Sequence, residues 1–459
     1  MTDEQDRTGR EPGDQDTPIA PSDAAAQHRS GGAPAADGER DVVHAPTVVE
    51  VPVVADAARV ESHEQNQDED RWGGVAREIL GGTPMVSLLA VVVAFVVGGI
   101  LIAATDEQVQ AASAYLFARP GDTFAAIASA VGGAYWALFQ GSILNFSRPE
   151  GGIVALVRPL TETLHFAAPL IAAGLGVAVA FRVGMFNIGG RGQMLAAAAA
   201  AGWVGFSFPL PPVLHVIVAL LAGMIAGALW AGIAGLLKAR TGAHEVITTI
   251  MLNFVALWLL SYLIRTPELL QAPGSNNPIT PRMLETAVLP PLLGESFNLT
   301  WGIVLSVAAV VVAWWLIERS SLGFRFRAVG LNPQAALNAG MDVKAVYVQA
   351  MLVAGAFMGL AGAQQVQATV TTGFTSGIDA GIGFDAITVA LLGRSNPWGV
   401  LAAGLLFGAF KAGGFRMQAA EGVPIDIVLV VQSVIVLCIA APPLVRTIFR
   451  LPKPRGGVR

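Results

Sequence analysis

The sequence predicts an all-α polytopic membrane protein of about ten transmembrane helices, and three observations predict it. The 459 residues are 54% hydrophobic and 13% charged, where a soluble chain carries about 25% charged residues. Apolar runs of about 20 residues, each long enough to cross the hydrocarbon as a helix, recur between positions 85 and 444. Lys and Arg gather on alternate links between those runs, as the positive-inside rule requires. A soluble enzyme, a nucleic-acid binder and a fibrous protein are excluded on these grounds.

Taken in order, residues 1–70 carry 17 acids against five arginines, a net of −12. They have no periodic apolar face, so they cannot bury enough surface to offset the entropy of ordering and are expected to be disordered. The remaining chain holds 16 acids and 23 bases, a net of +7. No basic, then apolar, leader opens the sequence, so no cleavable signal peptide is expected. Order is expected from Trp72, whose indole suits a membrane interface.

The predicted spans are 85–104, 164–183, 190–208, 213–237, 246–264, 300–317, 345–368, 374–393, 397–415 and 424–444. The third, eighth and ninth are divided from their neighbours by short polar links. With the N-terminus inside, 16 Lys and Arg fall on the cytoplasmic side, including Arg182, Arg191, Lys238, Arg325 and Arg327, and seven, including Lys411 and Arg416, on the other. Both termini are therefore expected in the cytoplasm. Residues 124–146 are nearly apolar enough to span, but counting them would invert every later link, so they read as an interfacial or re-entrant outer helix. The Pro-rich stretch 265–299 reads as an irregular outer cap. The single cysteine, Cys438, lies in an apolar run and reads as a small buried hydrophobe. Small residues, such as the run Ala196–Ala201 and the pair Gly404 and Gly408, suit close helix packing.

Three polar stretches interrupt the apolar pattern. Phe186-Asn187-Ile188-Gly189-Gly190-Arg191-Gly192-Gln193 combines turn-permitting glycines with amides able to satisfy freed backbone groups at membrane depth. In Gly323–Gly340, which holds Arg325, Arg327 and Ala335, Asn332 suits an N-cap, Pro333 the first helical position and Gly340 a left-handed stop. The resulting helix is about two turns long and is either an ordinary loop or a rigid knob that a partner grips, with Ala336 as a small residue entering the partner's groove. In Gly383–Gly399, Asp385 is an acid at or inside a span, open to reading as an N-cap, a cation site or a proton relay. Glu162, His165, Asp379 and Asp426 are placed near interfaces, within reach of water. Glu245 opens the fifth span, where a first-turn acid is favourable. Glu245, Asn253 and Asp385 are the candidate pathway or gating residues. The sequence contains no phosphate loop, nucleophile elbow, zincin helix or Cys-x-x-Cys, so no catalytic role, metal or cofactor is expected.

The stretch Phe186, Asn187, Ile188, Gly189, Gly192, Gln193 resembles the signature of inner-membrane permeases of bacterial ABC importers, in the simple-sugar and nucleoside branch. Pro169-Leu170 with Gly174-Leu175, the segment Glu245–Asn253, the loop Arg327–Gly340 and Phe384–Gly399 match in the same order over about 85–445. Glu245–Asn253 looks more like the nucleoside branch, linked to basic membrane lipoproteins, than the ribose branch. Arg191 departs from the pattern, where many relatives carry an acid or another polar residue. The resemblance implies a permease domain over 71–447 between an acidic tail, 1–70, and a basic cytoplasmic tail, 448–459. It implies an alternating-access pathway shared by two permease copies or two similar permeases, two cytoplasmic ATP-binding subunits and an extracytoplasmic substrate-binding lipoprotein. It makes Asn332–Gly340 the coupling helix. The expected solute is a nucleoside, with a simple sugar or other small polar solute as the alternative. An ion-coupled secondary carrier is the competing class and has too few intramembrane acids.

Overall fold

The computed structural model describes residues 83–147 and 152–450. The expectations for the acidic tail, 1–70, and for the basic residues 451–459 lie outside them. Among the described residues the fold is all-helical, with one isolated bridge between Pro291 and Thr300.

Helix α1 (Thr83–Thr105) is followed by the short α2 (Glu107–Ser113) and by α3 (Pro120–Ser142). Then come α4 (Gly152–Arg182), α5 (Gly190–Ser207), α6 (Pro212–Thr241) and α7 (Glu245–Leu263). After an irregular stretch with one 3-10 turn, Glu285–Ala287, the chain forms α8 (Gly302–Arg319), α9 (Ser321–Leu331) and α10 (Pro333–Asn338). The last group is α11 (Val343–Gln364), running into a π turn at Gln365–Thr369, then α12 (Ile382–Leu392), α13 (Pro397–Glu421), α14 (Asp426–Ala440) and α15 (Pro442–Ile448).

Seven of these, α1, α4, α6, α7, α8, α11 with its π turn, and α13, are long and apolar enough to cross a membrane. Three expected spans differ for visible reasons. In 374–393 the helix begins only at Ile382, because Ala380 (φ 46°) and Gly381 (φ 80°) take left-handed conformations that a helix cannot continue. The span 424–444 stops at Ala440, ahead of Pro442-Pro443, since the residue before a proline is pushed out of the helical region. Residues 190–208 form the expected helix, α5, but it opens on Gly190-Arg191-Gly192-Gln193 and is not among the seven.

Small residues set the packing. Each of Gly227 and Gly359 lies so close to the opposite helix that an added Cβ would stand 2.5 Å from a carbonyl, of Gly355 and Gly223 respectively, so α6 and α11 meet backbone to backbone. On α13, Gly408 meets the Thr163 carbonyl of α4 in the same way, and Gly404 makes room for the Ile171 side chain. One continuous core joins α4 through α13, and a second, smaller one joins α1, α3, α13 and α14 around Phe410 and Ile435. Cys438 is buried, as expected. Helix α3 lies along the latter half of α13, with Leu138 on Gly413 and Gly133 beside Glu421. Tyr135 of α3 donates its hydroxyl to the Phe95 carbonyl of α1.

One end of the bundle is marked by charge. Glu318 of α8 pairs with Arg182 at 3.9 Å and with Arg327 at 3.8 Å, and Lys238 stands over the ring of Tyr347. At the far end, segment 279–289 is sewn to 367–374: Met283 N–H donates to the Thr371 carbonyl at 2.9 Å and Leu289 N–H to that of Gln367 at 2.8 Å. The Pro-rich stretch is thus an ordered irregular cap.

Candidate translocation and coupling site

Depth follows from helix lengths. Arg182 Nε donates to the Ser395 carbonyl at 2.9 Å, so the end of α4 and the α12–α13 corner share the basic end. Helix α12 has 11 residues and so rises only about 16 Å, half of the roughly 30 Å hydrocarbon. Its first turn therefore lies near mid-depth. There Gly383 meets Gly190 at the start of α5, where an added Cβ on Gly190 would lie 2.7 Å from the Gly383 carbonyl. Two helices begin at this level, face to face, with irregular backbone leading into both.

Such backbone is tolerated at membrane depth only when its polar groups are satisfied inside the protein. After Arg182 the chain turns back along α7, and two α7 side chains bind it. Asn253 Oδ1 accepts the Gly192 N–H at 2.8 Å while its Nδ2 donates to the Ile188 carbonyl at 2.9 Å. Thr249 Oγ1 accepts the Ile188 N–H at 3.3 Å. Within the turn, Asn187 and Gln193 pair amide to amide at 2.8 and 3.2 Å, and Asn187 Oδ1 also takes the Gly189 N–H at 3.0 Å. Both amides are buried. Phe186, by contrast, is exposed and faces Phe181, with ring centroids 5.0 Å apart. The signature residues thus build a re-entrant turn, Phe186 excepted.

Four charges surround the same level. Arg191 Nε lies 3.2 Å from Asp379 Oδ1, and Lys411 Nζ lies 3.9 Å from Asp385 Oδ2 while donating to the Ala380 carbonyl at 3.0 Å. Two sequence expectations are corrected here. Arg191 and Lys411, assigned to opposite membrane faces, belong to one interior cluster, because the re-entrant turn lifts α5 to mid-depth. Asp379 is buried, at 4% exposed, and its cation is Arg191, the residue that departs from the family pattern. Asp385 caps nothing: Gly381 is the N-cap of α12, and Asp379 Oδ2 accepts the Gly381 N–H at 3.3 Å. Asp385 instead lines a cavity of about 250 Å³ with Thr388, Gln432 and Ser433. Glu245 is buried and bonds Lys238 at 2.6 Å, which fastens the α6–α7 corner.

At the basic end, α9 and α10 form a corner of two capped helices. Asn332 accepts the N–H groups of Gln334 and Ala335, each at 3.0 Å, Pro333 opens α10, and Gly340 closes it at φ 81°. Helix α10 has six residues, close to the two turns expected. Ala336 is 4% exposed and belongs to the main core, so it faces its own fold and not a partner. Every other residue of 331–340 is exposed, and the large apolar ones among them are Leu331, 88% exposed, and Leu337, 56% exposed. Spacing explains the error: in a six-residue helix one position must point inward, and the small alanine takes it. Arg325 is exposed while Arg327 pairs with Glu318. Gly330 packs directly on the Arg182 carbonyl, with no room for a Cβ, which braces α9 on the end of α4.

The family described as "Branched-chain amino acid transport system / permease component" matches residues 160–440. The guanosine ABC transporter permease protein NupP of Bacillus subtilis is 36% identical over 322 residues, which is 68% of this chain and 90% of NupP. The glucose ABC transporter permease protein TsgB13 of Haloferax volcanii is 40% identical over 287 residues, 61% of this chain and 75% of TsgB13. The nucleoside ABC transporter permease protein NupB of Lactococcus lactis is 34% identical over 312 residues, 65% of this chain and 83% of NupB. No solved structure matches the chain. With a family match over most of the membrane-embedded fold, and relatives that are transport components and not enzymes, the chain belongs to this permease family, as a multi-pass inner-membrane subunit of an ABC importer.

Proposed function

We propose that the chain conducts a nucleoside through an ATP-driven importer, crossing the membrane ten times with its basic end and both termini in the cytoplasm. The crossings are the seven long helices together with α5, α12 and its lead-in, and α14. Helix α3, alongside only the latter half of α13 in its contacts, is an outer helix. Ten crossings place both termini on one side, and the positive-inside rule assigns that side to Arg182, Arg240, Arg319, Arg325 and Lys344.

The observation that carries the ATP-driven reading is the knob of α9 and α10: capped, exposed at Leu331 and Leu337, and braced on α4 through Gly330. Cytoplasmic ATP-binding subunits grip this knob, and their closure moves it. The movement reaches α4 at Arg182, then the α12–α13 corner through the Arg182–Ser395 bond. Helix α12 carries it to mid-depth, where Gly383 abuts the start of α5. The acids of the mid-depth cluster each face a basic partner, which disfavours an ion-coupled carrier.

NupP, matched over 90% of its length, supports the nucleoside reading; TsgB13, at 40% identity, supports glucose or another sugar as the second. An external substrate-binding lipoprotein delivers the solute at the capped end. The permease partner is a different chain. Two guanosine permeases of Bacillus subtilis match at 36% and 28%, and two nucleoside permeases of Lactococcus lactis at 34% and 26%, so this chain resembles one member of each pair. Reconstitution with the ATP-binding subunits, partner permease and binding protein tests the reading: ATP-dependent uptake of guanosine is expected, and uptake of glucose without guanosine overturns it.

A further inference from the structure

Two cavities open beside α4 and α13 beyond mid-depth. The deeper, about 300 Å³, is lined by Lys411, Gln365, Thr369 and Thr375. The other, about 420 Å³, is lined by Arg158, Glu162, Gln140 and Arg416. Phe166 of α4 and Phe415 of α13 line both, with ring centroids 5.7 Å apart and planes at 34°. Lys411 lies 14 residues beyond Pro397 on α13, about 21 Å along the helix from the basic end. The cavities therefore occupy the half of the protein on the capped side.

Close packing does not explain these walls. Charged side chains at membrane depth face a bundle interior or a water-filled cavity, not lipid. Lys411 has three donors; one goes to the Ala380 carbonyl, and Asp385 lies 3.9 Å away, beyond hydrogen-bond distance, so donors are left for the cavity. Arg416 Nε is buried with no hydrogen-bond partner among the described residues. Glu162 is already engaged by Asn298 at 2.6 Å and by Arg158 at 3.8 Å. The lining is thus net positive, mostly apolar in the deeper cavity, with unused donors at Lys411 and Arg416, and divided by two phenyl faces. It suits a solute with a flat ring and several acceptors, and it repels a cation.

We propose that these neighbouring cavities are a selective station in the solute path, where the Phe166–Phe415 pair stacks the base of a nucleoside and Lys411 and Arg416 bind its acceptor atoms. This rests on the nucleoside-permease reading above. Removing a base–aromatic stacking partner costs on the order of 5- to 100-fold in binding. Cavities of this size lie at the lower end of the range for small-molecule sites.

The test uses the complete reconstituted transporter with radiolabelled guanosine, uridine and D-glucose. Phe166→Leu and Phe415→Leu are expected to lower guanosine and uridine uptake by about tenfold per assembled complex, and Phe415→Tyr, which keeps the ring, by less. Guanosine uptake by the unaltered protein with no loss in both Leu variants overturns the station and leaves the function standing. Glucose uptake without guanosine uptake by the unaltered protein overturns the function itself. Should the Leu variants fail to assemble, Phe415→Cys in a Cys438→Ala background decides. Labelling by a charged methanethiosulfonate is expected to slow at least threefold with saturating guanosine, and an unchanged rate overturns the station.

Discussion

Asn253 closes on the backbone of Gly192, 61 residues earlier, accepting its N–H at 2.8 Å while donating to the Ile188 carbonyl at 2.9 Å. One amide thereby satisfies a donor and an acceptor that the re-entrant turn would otherwise leave bare at mid-depth. Asn253→Leu preserves volume and removes both bonds. Each buried group left unsatisfied costs about 1–3 kcal/mol. Asn253→Leu is therefore expected to lower the unfolding temperature in detergent markedly, and so is Asn253→Asp, which keeps the acceptor for Gly192 but buries a charge against the Ile188 carbonyl. Equal stability of all three proteins would show that the turn is held elsewhere.

Arg191 and Asp379 make the second claim. Asp379 is buried while Arg191 is 30% exposed; removing the arginine leaves the buried carboxylate without its partner, which is costly, while replacing both is far milder. Arg191→Met alone is expected to destabilise strongly, and adding Asp379→Asn to restore most of the loss. The check is a double-mutant cycle on the unfolding transition, with a coupling of more than about 1 kcal/mol expected. Additive single losses would mean that the 3.2 Å approach contributes little.

The knob separates folding from docking. Ala336→Glu buries a charge inside the main core, so the permease itself is expected to lose stability and membrane yield. Leu331→Glu and Leu337→Glu change outward residues and should alter stability by no more than about 0.5 kcal/mol. Their effect is expected on copurification of the ATP-binding subunits, at least tenfold weaker than with the unaltered chain. Stable Ala336→Glu protein with lost docking would reverse the assignment of faces.

Much of this architecture was legible in the sequence, and the misses share a cause. Long runs such as 213–237 announce themselves by composition, and the caps at Asn332, Pro333 and Gly340 are local chemistry that tertiary contacts leave alone. Depth is not local. Arg191 reads as a flank charge because it follows Arg182 by nine positions, and only the re-entrant backbone, held by Thr249 and Asn253, moves it to mid-depth. Asp379 and Lys411 were misplaced with it, since their partners lie 188 and 26 residues away in sequence. Phe166 and Phe415 escaped notice among many apolar neighbours. The spacing Arg158, Glu162, Phe166 on one helix and Lys411, Phe415 on another, each step four residues, was the available signal of a polar-aromatic face.

Orientation is open to a direct chemical test. The chain has a single cysteine, Cys438, buried in α14, so Cys438→Ala provides a background without thiols. Thr241 is exposed at the α6–α7 corner, on the end that carries Lys238, and Leu293 is exposed in the cap at the opposite end. Positive-inside placement puts Thr241 in the cytoplasm and Leu293 outside. In intact spheroplasts a membrane-impermeant maleimide is expected to label Leu293→Cys at least tenfold faster than Thr241→Cys, and permeabilisation should abolish the difference. Inverted vesicles should reverse the order. Labelling of Thr241→Cys in sealed spheroplasts would place the basic end outside, and the knob of α9 and α10 could then have no cytoplasmic ATP-binding partner.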